Sequence, residues 1–257
     1  MSIKAYQQKC FREYKAQIQY PRSYTYLYGT PINVLVPIET ALNKVMIVGA
    51  YPSAKFYSVK SKEGKFVNDT PLADNDSPFS NESYFDGTRV RTIPSGKELN
   101  EVILSRIGVD RQDCWITDLV KVFLFKEGHI RRYNELGKFD VMANRNLFDT
   151  YADKSKEWLQ DEMEICNPYI IILLGLEVSK AVLGLTAEKS KAALDGRVMK
   201  RDVRGNERSF ICLPHPGILM KRTEKNPWPS LFEDEISVTA RREIARLREE
   251  QARQNGI

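Results

Sequence analysis

Cysteine, histidine and long apolar runs are all scarce in this chain. Its four cysteines, Cys10, Cys114, Cys166 and Cys212, form no CxxC pair, and it has two histidines. Metal centres and disulfide frameworks need clusters of such residues, so we expect buried free thiols, no metal and no cofactor. The longest apolar run, 169–176, is too short to span a membrane, and no secretory signal opens the chain. We therefore expect a cytoplasmic protein with no membrane partner.

A large charge imbalance is also absent. The 257 residues include 39 basic and 34 acidic side chains, and the net charge of +5 permits a polyanionic partner such as DNA. With 42% hydrophobic residues the chain can bury one large core, so we expect a single domain over residues 1–257. Basic residues cluster within 121–138 and 197–208, as DNA contacts or as solvated faces.

Short apolar runs alternate with longer amphipathic runs along most of the chain. This alternation is typical of parallel strands joined by crossover helices, the α/β class. The predicted strands are 44–48, 114–125, 169–174 and 210–213. The predicted helices are 95–107, 155–166, 176–183 and a charged C-terminal helix within 234–257. A capping-box spacing, Ser95 to Glu98, opens the first of these helices, and residues 1–40 predict an N-terminal helix and arm.

One histidine stands where an imidazole can be presented to a ligand. His215 lies between two prolines, which fix the backbone, directly after the apolar run 209–212. In an open parallel sheet, ligands bind outside the carboxyl ends of the strands. Segments 49–53, 118–121 and 215–217 all follow predicted strands, so we expect them to converge on one crevice.

Six short segments are informative because of their order. They are Gly-Ala-Tyr-Pro-Ser at 49–53, Ser-Pro-Phe at 77–79, Ile-Pro-Ser-Gly-Lys-Glu-Leu at 93–99, Ile-Thr-Asp-Leu-Val-Lys at 116–121, the strand-turn-helix 168–184, and His-Pro-Gly-Ile-Leu at 215–219. In this order they resemble the uracil-DNA glycosylase superfamily over roughly residues 42–219. The resemblance implies a three-layer α/β/α fold with a central, mostly parallel four-stranded sheet. It also implies an enzyme that flips one base out of double-stranded DNA and hydrolyses its N-glycosidic bond, without an obligate protein partner.

The resemblance also implies roles for individual residues. The implied catalytic residues are His215 and Asp118. The implied base contacts are Ala50, Tyr51, Ser53, Phe79 and Asp118, with Phe85 as the alternative to Phe79 for stacking on the flipped ring. The implied DNA contacts are Ser95, Gly96, Lys121, Gly217, Leu219, Lys221 and Arg222. Leu219 would wedge into the vacated stack, with Ile218 and Met220 as alternatives; core packing for Phe79 and Leu219, and helix capping for Ser95, are the structural readings.

Two departures from the family pattern bear on the substrate. Asp118 stands where members typically have Asn, and a carboxylate offers acceptors that suit the exocyclic amino group of cytosine. Ser53 stands where the uracil-specific branch has a bulky Tyr against C5 of the ring, which leaves room for a substituent. Together they predict a 5-substituted cytosine, hydroxymethylated or glucosylated as in some phage DNA, and hence a role in antiviral defence. The alternatives are an N-cap or surface pair for Asp118 and an ordinary turn residue at Ser53.

A third departure concerns the attacking water. Ala50 and Tyr51 stand where family members have an acid or amide, and Tyr has too high a pKa to be an obvious base. Three explanations stay open. The first is a carboxylate on the insertion after Ser53, from the set Asp74, Asp76, Glu82 and Asp86. The second is a dual role for Asp118, and the third is that His215 and site electrostatics carry most of the rate.

Other functions stay open beside the modified-cytosine glycosylase. The cysteine spacing does not match the iron-sulfur branch of the family, because Val122 stands where that branch has Cys. Repair of uracil or another deaminated base with an unusual pocket is one alternative. A catalytically inactive member that binds only DNA or another protein is the other.

Overall fold

The computed structural model describes residues 1–254, so the last three residues of the predicted C-terminal helix lie outside the described residues. The strands are β1 (Val45–Gly49), β2 (Ala54–Lys60), β3 (Phe66–Asp74), β4 (Ser83–Phe85), β5 (Val90–Thr92), β6 (Cys114–Asp118), β7 (Ile170–Leu174), β8 (Val198–Val203) and β9 (Asn206–Leu213). The α-helices are α1 (Ile3–Gln17), α2 (Pro94–Glu98), α3 (Ser105–Ile107), α4 (Glu127–Glu135), α5 (Phe148–Cys166), α6 (Leu176–Leu183), α7 (Ala187–Ala192), α8 (Pro216–Leu219), α9 (Trp228–Leu231) and α10 (Ser237–Gln254). The π-helical segments Leu99–Leu104 and Phe232–Ile236 join α2 to α3 and α9 to α10.

A five-stranded sheet forms the middle layer, in the order β6–β1–β7–β9–β8. The first four strands of that order are parallel, and β8 is antiparallel to β9. Strands β1, β6 and β7 are buried at every residue. Helices α1 and α5 pack on one face, and α3 and α10 pack on the other. Such strands read as continuous apolar runs because helices cover both faces of a parallel sheet, and the predicted α/β/α fold is confirmed.

The prediction of four strands missed the edge strand β8. It forms a hairpin with β9, closed by Arg204 and Gly205, which both have positive φ (52° and 80°). Lys200, Arg201 and Asp202 on β8 are exposed. Charged side chains on an edge strand prevent pairing with other chains, and here they also hide the strand from an apolar pattern.

Two predicted elements have different bounds. The strand predicted over 114–125 ends at Asp118, and the apolar residues after it are buried in irregular backbone. Their pattern indicated burial and not extension. The helix predicted over 155–166 begins at Phe148, so that its first two turns add further buried residues to the core.

Two regions outside the sheet shape its surroundings. The predicted N-terminal helix is α1, which buries Tyr6, Cys10 and Tyr14. The insertion that follows the first loop forms two hairpins, β2–β3 and β4–β5, for which the sequence analysis made no prediction. Within residues 1–254, no helix has the length and apolar character that crossing a membrane requires.

A fully buried ion pair lies behind the end of β6. Lys121 Nζ is 2.5 Å from Glu162 Oε1 of α5, and both side chains are 0% exposed. Glu162 also accepts hydrogen bonds from the Tyr6 hydroxyl (2.6 Å) and from Trp115 Nε1–H (3.0 Å). One carboxylate therefore joins α1, α5 and β6.

The Lys121 ammonium uses its other donors on the end of the strand. Nζ donates to Thr117 Oγ1 (2.8 Å) and to the main-chain oxygen of Asp118 (3.0 Å). With the bond to Glu162, all three N–H groups are occupied. The prediction that Lys121 contacts DNA is therefore wrong, because its side chain does not reach the surface. The apolar residues on both sides of it were the available signal.

We expect Lys121→Ala to lower the free energy of unfolding by about 3–5 kcal/mol, because it leaves the Glu162 carboxylate buried without its counter-charge. Chemical denaturation followed by circular dichroism measures the change. The control is Lys156→Ala, which breaks an exposed pair with Asp153 (2.7 Å) on the same helix and should cost under about 1 kcal/mol. Equal losses in the two variants would contradict a structural role for the buried pair.

Candidate active site

A cavity of about 430 Å³ opens at the carboxyl ends of β1, β6 and β9. Seven of the predicted site residues line it: Ala50, Tyr51, Ser53, Phe79, Ser95, Asp118 and His215. Further lining residues were not predicted to face it: Phe56, Glu98, Phe123, Lys126, His129 and Glu177. The loops after these three strands therefore converge on one crevice, as expected for a parallel sheet.

Asp118 is the last residue of β6 and lies against Gly49 of β1. A Cβ atom at Gly49 would overlap both the Asp118 Oδ1 atom and the ring of Phe79. The glycine thus allows a carboxylate and an aromatic ring to meet at the floor of the cavity. Asp118 is buried and makes no ion pair among the described residues, so the alternatives of an N-cap or surface pair are wrong.

The surroundings of the Asp118 carboxyl group favour its neutral, protonated form. Within residues 1–254, its Oδ2 atom is buried without a hydrogen-bond partner. Burial raises the pKa of Asp118 to about 7; the Lys121 ammonium opposes this rise and the Glu162 carboxylate adds to it. Both protonation states are therefore populated near neutral pH. The protonated state offers one donor and one acceptor to a ligand.

The exposure of Phe79 and Phe85 distinguishes the two candidates for the ring that stacks on the base. Phe79 is 7% exposed and lines the cavity, whereas Phe85 is 60% exposed on β4 and does not. Phe79 has a positive φ of 49°, an uncommon conformation for a bulky residue. Arg111 Nη2 donates to its main-chain oxygen (2.8 Å) and supports this conformation. The geometry favours Phe79 for the stacking role.

His215 is the N-cap of α8, and this position determines its tautomer. Its Nδ1 accepts the main-chain N–H of Gly217 (3.0 Å), so the ring proton is on Nε2. His215 is exposed to solvent, but the protein packed around the imidazole desolvates it and lowers its pKa below the ordinary value of a histidine, which favours the neutral ring at pH 7. Gly175, with φ 105°, lets the ring pack closely, since a Cβ there would lie 3.2 Å from His215 Cβ. The imidazole is thus a neutral N–H donor beside the cavity.

Tyr51 is held by an arginine that the sequence analysis did not identify. Arg145 Nε donates to the Tyr51 hydroxyl (2.8 Å), and its guanidinium lies 4.6 Å from the centre of the Tyr51 ring. The same guanidinium pairs with Glu177 at the start of α6. Tyr51 is therefore a fixed wall of the cavity, and its hydroxyl accepts a hydrogen bond from a cation.

The four insertion carboxylates proposed as water activators do not line the cavity. Asp74 accepts hydrogen bonds from the N-terminal arm, and Asp76 and Glu82 both pair with Lys55 (3.3 and 3.1 Å). Asp86 accepts hydrogen bonds from its own turn. Each of these carboxylates already has hydrogen-bond or ion-pair partners, and none lines the cavity. The explanation that one of them activates the attacking water is therefore wrong.

Two other carboxylates line the cavity. Glu98 is the last residue of α2, and burial raises its pKa. Glu177 lies in the first turn of α6 and pairs with Arg145. A helical pattern does not show which exposed face borders a cavity, so the sequence offered no signal for either residue.

The predicted phosphate-binding segment differs in detail. Ile93 is the N-cap of α2, so the predicted capping box is absent. The Ser95 hydroxyl lines the cavity instead, and its oxygen has no hydrogen-bond partner in the described part of the chain. Gly96 is buried against the main chain of Ser80, where a Cβ would overlap the carbonyl. The structure thus contradicts a direct DNA contact by Gly96.

The residues of α8 and the following turn also differ from expectation. Leu219 is 3% exposed in the core, so its prediction as the wedge is wrong, whereas Met220 is 54% exposed. The N–H of Gly217 is used by the histidine. Lys221 is exposed, and Arg222 pairs with Glu233 of the segment after α9. Both cations are exposed, and of the two, Lys221 makes no ion pair among residues 1–254.

The cysteines are buried free thiols, as predicted. In the described range 1–254, no group of three or more His, Cys, Asp or Glu side chains is arranged to hold a metal ion.

Comparison with known proteins identifies the family. A model of the uracil DNA glycosylase superfamily matches residues 38–232. A search of curated proteins finds no significant match. Members of this superfamily are DNA glycosylases, which bind DNA and hydrolyse N-glycosidic bonds. Because the match covers the whole parallel part of the sheet and both sides of the cavity, the chain belongs to the uracil DNA glycosylase superfamily.

Proposed function

We propose that this protein is a DNA glycosylase that extrudes a 5-substituted cytosine from the duplex, hydrolyses its N-glycosidic bond and leaves an abasic site. The observation that carries the proposal is the Asp118 carboxyl, which is buried at the end of β6 with one unpartnered oxygen and a pKa raised to about 7. Family membership supports the glycosylase chemistry. The choice of base rests on Asp118 and Ser53.

A protonated Asp118 complements the Watson–Crick edge of cytosine. Its O–H can donate to N3, and its other oxygen can accept from the exocyclic amino group. The shared proton can also pass to N3 with both hydrogen bonds kept. Uracil already carries a hydrogen on N3 and cannot accept that proton there. The acid therefore favours a cytosine-type base.

Proton transfer to N3 assists bond cleavage. The N1–C1′ bond breaks with its electron pair going to N1, so a base protonated at N3 departs as a neutral molecule. Asp118 is then a carboxylate that stabilises the positive charge on the sugar. His215 Nε2–H stabilises charge that develops on the base carbonyl. Water adds at C1′ and loses one proton as the C–O bond forms; Glu98 and Glu177 are the cavity carboxylates available to orient the water and accept that proton.

Residues other than Asp118 and His215 serve base extrusion and DNA binding. Unstacking a base costs a few kcal/mol, and stacking on Phe79 recovers about 1–3 kcal/mol of that. Met220, which is exposed beside the histidine loop, takes the wedge role in place of Leu219. The exposed Lys221 ammonium binds a backbone phosphate; the Ser95 Oγ atom is buried and does not reach one.

The biological role follows from the substrate. Ser53 lines the cavity and stands where the uracil-specific branch of the family has a bulky Tyr against C5, so the smaller side chain makes room for a hydroxymethyl or glucosylated hydroxymethyl group. Abasic sites in foreign DNA that carries such bases would damage it, so we propose a role in antiviral defence.

The proposal predicts release of a modified cytosine and no release of uracil. Duplex oligonucleotides that contain uracil, cytosine, 5-hydroxymethylcytosine or glucosylated 5-hydroxymethylcytosine are incubated with the protein, and free bases are measured by mass spectrometry. Release of uracil alone would support repair of deaminated bases instead. Binding of the duplexes without release of any base would support a family member that only binds DNA.

We expect Asp118→Asn to shift base preference toward uracil, because an amide offers a donor and an acceptor but no transferable proton. In the native protein, the single-turnover rate on the cytosine-type base should fall as the pH rises through about 7, since Asp118 is protonated below that value. The variant should lose this dependence, while Asp76→Asn, on an exposed residue outside the cavity, should keep it. An unchanged pH profile in Asp118→Asn would contradict the acid role.

We expect His215→Ala to lower the single-turnover rate about 10²–10³-fold, as loss of one oxyanion donor does. The melting temperature should fall modestly, because α8 loses its N-cap, and the affinity for duplex DNA should change little. His215→Asn retains both a capping oxygen and an N–H donor, and should recover part of the rate. Full activity of His215→Ala would exclude the histidine from the reaction.

A further inference from the structure

The cavity is larger than one pyrimidine ring requires. Its volume of about 430 Å³ falls in the range of sites for complete small-molecule ligands, about 300–1,000 Å³. Phe56 of β2, Phe123 and His129 of α4 line it together with Ser53, and the three rings adjoin one another, with centroids 5.5–6.4 Å apart. We call these four residues the recess; the proposed contacts to the edge and the face of the base and to the sugar use none of the three rings.

His129 is held as a neutral hydrogen-bond donor in this recess. Its Nδ1 accepts the main-chain N–H of Lys126 (3.1 Å), so its proton is on Nε2. The ring stacks on Phe123, with centroids 5.5 Å apart and planes at 24°, and packs against Phe56 at 5.8 Å. Burial lowers the pKa of His129 to about 4, so the ring is uncharged at pH 7. Within residues 1–254, Nε2–H donates to no protein acceptor, although the ring is largely enclosed.

Ser53 is the second polar residue of the recess. It lines the cavity and is half-buried, and its Oγ atom makes no hydrogen bond to the part of the chain that the structure describes. A hydroxyl and a neutral N–H suit a ligand group that is itself a hydroxyl, because hydroxyls donate and accept equally well. The aromatic walls of Phe56 and Phe123 suit the carbon skeleton that carries such a group.

We propose that Ser53 Oγ and His129 Nε2–H form a specificity subsite for a hydroxyl-bearing substituent at C5 of the flipped cytosine, with Phe56 and Phe123 as its walls. This inference rests on the proposed function and adds that the substituent is recognised, not merely tolerated. A methyl group at C5 would fill space and leave both polar groups unpaired. Sites built to bind a hydroxyl reject analogues that lack it by as much as about 10⁴–10⁵-fold, far more than apolar pockets discriminate by size.

The test compares 5-methylcytosine with 5-hydroxymethylcytosine and its glucosylated form in one duplex sequence. The quantity measured is the ratio of kcat/KM on each hydroxylated base to kcat/KM on the methylated base. Each ratio comes from one preparation, so a reduced folded fraction does not affect it. We expect the native ratio to exceed about 100, and His129→Phe and Ser53→Ala each to lower it about tenfold.

Two further variants test whether the ratio depends on hydrogen bonding to the substituent or only on packing in the cavity. His129→Gln retains a donor and an acceptor and should restore much of the ratio that His129→Phe loses. Tyr28→Phe removes an exposed hydroxyl outside the cavity and should leave the ratio unchanged. An effect on both hydroxylated bases assigns the subsite to the hydroxymethyl oxygen, and an effect confined to the glucosylated base assigns it to the sugar.

The possible outcomes distinguish failure of the subsite from failure of the proposed glycosylase function. Release of modified cytosine with a native ratio in both His129→Phe and Ser53→Ala would overturn the subsite and leave the glycosylase intact. No release of any cytosine-type base by the native protein would overturn the proposed function and the subsite with it.

Discussion

The site depends on a buried charge pair that a DNA substrate does not touch. The Lys121 ammonium binds the main-chain oxygen of Asp118 from below, and Glu162 connects that ammonium to the N-terminal helix through Tyr6. The end of the strand that carries Asp118 is therefore positioned from inside the protein. Burial raises the pKa of Asp118, and the pair modifies this rise, since the ammonium opposes it and the Glu162 carboxylate adds to it. Buried ion pairs contribute little net stability compared with apolar packing. Here the pair contributes by positioning an acid.

Different parts of the fold supply the residues that line the cavity. The ends of the parallel strands supply Asp118 and His215, to which the proposed mechanism assigns the base edge and the departing charge. The insertion after the first loop supplies Phe56 and Phe79, to which it assigns the substituent and the ring face. Since the hairpins of the insertion are not strands of the central sheet, the preference for a substituent can change while the acid and the imidazole keep their places.

Sequence patterns predicted the features that depend on local burial. The four parallel strands were visible as continuous apolar runs, and α6 was predicted with its observed bounds. Ala50, Tyr51, Ser53, Asp118 and His215 were found because they end or follow predicted strands, whereas Phe79 and Ser95 came from the resemblance to the family. The failures need three-dimensional information. Lys121 reads as a surface cation until Glu162, 41 positions later in the chain, is placed against it. Leu219 and Met220 differ by one helical position, and a pattern does not decide which of them faces the core. Arg145 belongs to the site because it reaches Tyr51, which no spacing in the sequence indicates.

The imidazole of His215 is attached to the short helix α8 by a hydrogen bond. The N–H of Gly217 both begins α8 and holds Nδ1, and Met220 lies directly after the last turn of the same helix. A side chain pressed into the base stack from that helix end transmits its displacement to the ring within five residues. In the proposed mechanism, base extrusion and the orientation of the leaving-group donor are therefore coupled, so a base that resists unstacking would also be kept from a correctly oriented imidazole.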